Sequence, residues 1–76
     1  MNNDRRKAVE QVREVLAGAS AQVEFLQMEE QDAFDAMPEG LQQGERGQAS
    51  EAAAEALQEA YDALDEVIGH LDGAVE

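Results

Sequence analysis

Val9-Glu10-Gln11-Val12-Arg13-Glu14-Val15-Leu16-Ala17-Gly18-Ala19 carries the pattern that decides how this chain folds. Val9, Val12, Leu16 and Ala19 recur at alternating steps of three and four, and Val23 and Leu26 continue the series. Beyond a turn at Met37-Pro38-Glu39-Gly40 the same rhythm resumes at Ala53, Leu57, Ala60, Leu64, Val67, Leu71 and Ala74. That spacing sets apolar side chains along one edge of an α-helix, and two such edges joined by a turn zip together antiparallel. The fold class expected is all-α: an antiparallel two-helix, coiled-coil-like hairpin that dimerises into a four-helix bundle.

The chain of 76 residues forms one domain, 1–76, with a helix over 4–36, a turn over 37–47 and a helix over 48–73. Asn3 or Asp4 caps the first helix. Pro38 ends it, because the residue before a proline is pushed out of the helical region. Pro38 can also open a single helical turn within 37–42, and Gly40, Gly44 and Gly47 supply bends. The predicted seam runs through 9, 12, 16, 19, 23, 26, 30, 33 and 37, then 50, 53, 57, 60, 64, 67, 71 and 74. Only Glu30 and Ser50 interrupt it. A carboxylate there needs a partner, and Arg46, the one base after residue 13, is the partner expected, fixing the register near the turn.

So short a chain holds about 3–5 kcal/mol from a single core unless something staples it. It has no cysteine and one histidine, so no disulfide is possible and neither a metal nor a cofactor is expected. Self-association is the remaining staple. No run of about 18 apolar residues exists, and the N-terminus lacks a signal-peptide core. No membrane association is expected, and the location expected is the cytoplasm, that of a host cell if the chain is phage-encoded.

Charge is lopsided. Residues 1–13 hold four bases against two acids, a net of +2, while residues 14–76 hold one base against sixteen acids, a net of −15. Such a surface repels nucleic acid and attracts basic protein surfaces, so direct nucleic-acid binding is disfavoured. Glu51, Glu55, Glu59, Asp62, Asp65 and Glu66 are expected on the outer face of the second helix. They either keep the protein soluble or imitate the phosphates of a nucleic acid, since carboxylates three or four residues apart lie about 5–6 Å from one another.

Apolar residues remain after the seam is filled. Ala21, Phe25 and Met28 fall opposite it on the first helix, near Gly18, and are expected to meet a second chain or another protein. Ala54, Tyr61, Ile68 and Val75 fall beside the second seam and widen it. Phe25, Met28, Phe34, Pro38 and Leu41 are the expected protein contacts.

Glu29 with Asp32, and Asp62 with Asp65, have the spacing used by all-helical, magnesium-dependent nucleotide pyrophosphohydrolases. Those enzymes direct such residues into a shared cleft, whereas here all four fall on flanking or outer positions. His70 has no nucleophile beside it. No catalytic residue is assigned, and the chain is expected not to be an enzyme.

The stretch from Glu29-Glu30-Gln31-Asp32-Ala33-Phe34 through Met37-Pro38-Glu39-Gly40-Leu41-Gln42 to Glu45-Arg46-Gly47 resembles a family of short acidic helical proteins common in phage and prophage genomes. The shared pattern is an acidic-aromatic run, then proline-glutamate-small-leucine-glutamine, then glutamate-arginine before an alanine-rich helix. It covers about nineteen residues. The resemblance implies a viral or mobile-element protein and no particular activity. The expected function is a protein-binding module that inhibits or redirects a host protein such as a nuclease, defence effector or nucleic-acid enzyme. The alternatives are a nucleic-acid mimic and an assembly component without a host target.

Overall fold

The computed structural model describes residues 1–76, and all of its regular structure is helical: α1 (Asn3–Asp35), α2 (Glu39–Gln42) and α3 (Glu45–Ala74). Asn2, one residue before the expected caps, opens α1 by accepting the Arg5 amide on its side chain at 2.7 Å. Pro38 closes the way out of α1 and serves as N-cap of the one-turn α2, whose Leu41 and Gln42 amides both donate to its carbonyl. The carbonyl of Phe34 at the end of α1 accepts the Met37 amide at 3.1 Å and the Gln42 side chain at 3.0 Å. Helix ends leave such carbonyls unpaired unless a side chain or water reaches them.

α1 and α3 lie against one another as a rod 58 Å long and 14 Å across in each other direction. The expected all-α hairpin is therefore the observed one. No helix is long and apolar enough to cross a membrane.

The line of contact differs from the predicted one at every second position. Val9, Leu16, Val23, Glu30 and Met37 face α3 as expected, and so do Ser50, Leu57, Leu64 and Leu71 on α3. Their alternating partners are displaced by one residue. Arg13, Gln27 and Phe34 replace Val12, Leu26 and Ala33, and Ser20 is buried beside a still half-buried Ala19. Ala54, Tyr61, Ile68 and Val75 replace Ala53, Ala60, Val67 and Ala74. Size explains the choice on α3: tyrosine and isoleucine remove more apolar area from water than alanine and valine do. α1 then has to meet α3 with polar residues. Ala54 is the one buried hydrophobic residue, at 2% exposure, while Val12, Leu26 and Val67 are 52%, 50% and 43% exposed.

Of the three turn glycines Gly44 alone supplies a bend, at the N-cap of α3. None has positive φ; Gly40 lies in α2 and Gly47 in the first turn of α3. Gly47 has a different task. It is buried, and a Cβ there would overlap the backbone of Gln42. Glycine lets α3 press directly on α2.

Candidate interaction surfaces

Two helices crossing in this way leave two broad faces, and polar contacts mark which residues share each. Arg13 donates from Nε and Nη2 to the two carboxylate oxygens of Asp72. Tyr61 lies toward Glu24. Both contacts cross one side of the seam. On that side, beyond Arg13, Ser20 and Gln27, lie Glu10, Glu14 and Glu24 of α1 with Glu51, Glu55, Asp62 and Asp65 of α3, all exposed. This face is acidic.

Its charge moves the groups within it. The Arg13 guanidinium is held above its ordinary value, first by the hydrogen bond to Asp72 and then by the charge of Asp72, against desolvation, with the charge of Glu14 adding last. The Tyr61 phenol is pushed up, first by hydrogen bonding toward Glu24, then by the charge of Glu24, desolvation and the charges of Asp65 and Asp62.

The opposite face is nearly free of charge. Antiparallel pairing puts the residues that precede the seam on α1 beside those that precede it on α3. Val12, Val15, Ala19 and Leu26 therefore flank Ala53, Ala56, Ala60, Ala63 and Val67. Val15 is 72% exposed, and every alanine of that α3 series is exposed. The positions of both stripes between Ala8 and Ala33, and between Arg46 and Ala74, hold only Glu29 and Arg46 as permanent charges. His70, at the open end, lies 3.8 Å from Glu66, both exposed.

The expected contact residues do not form one patch. Phe25 and Met28 are 62% and 56% exposed on the outside of α1, and Phe25 borders a shallow depression with Ala21, Gln22, Leu26 and Glu29. Phe34 is a half-buried seam residue, and Pro38 and Leu41 are exposed at the turn end. Glu59 and Glu66 lie on the back ridge of α3, apart from the four carboxylates of the acidic face. Glu29 occupies the apolar side while Asp62 and Asp65 occupy the acidic one, and nowhere do three or more histidine, aspartate or glutamate side chains converge as a metal site.

The pairing of Glu30 with Arg46 is corrected. Glu30 accepts the Ser50 hydroxyl at 2.7 Å, and Arg46 takes part in neither ion pair of the hairpin. Glu30 and Ser50, the two polar residues of the predicted seam, satisfy one another directly across it. The Arg13–Asp72 pair joins the helices at the open end, at a position that the predicted seam, running through Val12, leaves out. Compared with protein-family models, curated proteins and solved structures, the chain matches none of them.

Proposed function

We propose that this chain is a non-catalytic protein-binding module, a hairpin that pairs into a four-helix bundle and acts on another protein through its charge. The reading rests on one observation: Glu51, Glu55, Asp62 and Asp65 share a face with Glu10, Glu14 and Glu24, while the opposite face carries almost no charge. A basic protein surface would be drawn to the acidic side from a distance. Exposed Phe25 and Met28, on the outside of α1 between the two faces, would anchor the contact once made. In keeping with the phage resemblance, the partner would be a host nuclease, defence effector or nucleic-acid enzyme, reached in the host cytoplasm.

Mimicry of a nucleic acid is the second reading, favoured by the gathering of carboxylates along one side. Salt separates the two. Proteins captured from a bacterial lysate should stay bound in moderately high salt if Phe25 and Met28 anchor them, and should be lost by the Phe25→Ala, Met28→Ala double variant. Release of all captured protein by salt alone would favour mimicry. Pyrophosphate release from nucleoside triphosphates with magnesium would overturn the non-catalytic reading.

A further inference from the structure

The uncharged face is two helices wide and runs most of the length of the rod, and the exposed Val12, Val15 and Leu26 belong to it. We infer that its occupant is a second copy of this chain, docked face to face, and that this surface, not the Phe25–Met28 side, is the dimer interface. The inference rests on the reading of the chain as a hairpin that dimerises and names the surface that does it.

The direction of the apolar arc on α1 points to this occupant. In an isolated two-helix coil, each helix turns its apolar arc squarely toward its neighbour. In a four-helix bundle, each turns it toward the common axis, which lies about 45° to the side of that neighbour. On α1 the residues meeting α3 alternate between apolar Val9, Leu16 and Val23 and polar Arg13, Ser20 and Gln27. The apolar arc instead pairs Val9, Leu16 and Val23 with Val12, Ala19 and Leu26. Its centre is therefore rotated toward the open face by half of a one-residue step, about 50°. That is the rotation a bundle requires. On α3 the flanking stripe from Ala53 to Val67 is mostly alanine, which lets a facing helix approach closely.

Charge and area select a copy of this hairpin over other occupants. A basic helix would find no carboxylates here except Glu29, whereas they crowd the other side. Two chains of net charge −13 can approach on this face with Glu29 the one acidic group between them; on the acidic face many would be buried. A strip 58 by 14 Å offers about 800 Å² per chain, the share each partner gives to an interface of standard size.

Light scattering on the intact chain should return twice its 8.2 kDa mass. Val15→Glu and Ala60→Glu, which touch little within one hairpin, should each halve that mass, while Met28→Glu should leave it doubled. A second measurement does not depend on charge or on the variants' stability. The chain has no cysteine, so Val15→Cys and Met28→Cys each introduce a single thiol. The Val15→Cys thiol should alkylate slowly at high protein concentration and faster on dilution, with the Met28→Cys thiol fast throughout. A monomeric wild-type chain would sink the dimer reading and the inference together. A dimer broken by Met28→Glu but not by Val15→Glu or Ala60→Glu, or a Val15→Cys thiol as reactive as Met28→Cys, would sink the inference alone.

Discussion

Ser50 Oγ donates to Glu30 Oε1 at 2.7 Å across the seam near the closed end of the hairpin. Ser50 is buried, and Glu30 is half-buried between the two helices. A hydrogen bond to a charged acceptor contributes about 1.5–3 kcal/mol, and most of the loss on deleting one partner comes from stranding the other. Ser50→Ala should therefore lower stability by about 1–2 kcal/mol, a drop of several degrees in Tm for a chain this small. Replacing both residues, as Ser50→Ala with Glu30→Leu, should recover most of that loss, because nothing charged is left unpaired. Thermal melts of the two single variants and the double variant measure the coupling. Additive losses would show that the pair does not act as a unit.

Gly47 and Gly18 should respond in opposite directions to alanine. Gly18 sits in the middle of α1 with no atom near its missing Cβ, so Gly18→Ala should stabilise the hairpin by about 0.5–1 kcal/mol through helix propensity. Gly47→Ala forces a methyl group into the Gln42 backbone. Since α3 cannot move away without giving up its contact with α2, a loss of about 2 kcal/mol is expected. Urea unfolding of both variants tests the contrast. Destabilisation by Gly18→Ala would mean that another chain packs closely there.

The hairpin was legible because the period of three and four is written plainly in both helices and because Pro38 can stop only the first. The facing positions were legible in part. Val9, Leu16, Leu57 and Leu64 belong to the seam whether their alternating partners come one residue earlier or later, so those positions were safe. The choice between Ala60 and Tyr61, or Val67 and Ile68, depends on how much area each buries against a particular neighbour. The bulk of Tyr61 and Ile68 was the available signal. On α1 nothing signalled the shift, since it brings Arg13, Ser20 and Gln27 inward at the expense of Val12 and Leu26. The roles of Gly47 and of the Arg13–Asp72 pair were hidden for a similar reason. Each depends on residues brought close by the fold, with 59 positions separating Arg13 from Asp72.

Salt should stabilise this protein. Net charge is −13 on a thin rod, and the acidic face gathers like charges within about a Debye length of one another at 0.1 M salt. Screening relieves that repulsion. The one bidentate pair, Arg13 with Asp72, is about half exposed and loses little, because surface pairs contribute little at any salt. Tm should therefore rise steadily from low to moderate sodium chloride. A fall would mean that favourable ion pairs outweigh repulsion.

Tyr61 offers a direct probe of the acidic face, since it is the single tyrosine and there is no tryptophan. Hydrogen bonding toward Glu24 and the charge of Glu24 raise its phenol above the ordinary value, with help from desolvation, Asp65 and Asp62. The folded state thus favours the neutral phenol more than the unfolded state does. The stability this contributes is present in full below the unfolded value of about 10. It is lost as pH rises through the folded value. Ultraviolet titration of the native protein should give a midpoint more alkaline than that of the chain in denaturant. Glu24→Gln should bring the two together, while Glu59→Gln, on the back ridge of α3, should leave the difference intact. Equal midpoints in the native and denatured wild-type chain would show that Glu24 does not lie against Tyr61 in solution, and the register that joins α1 to α3 would then have to be redrawn.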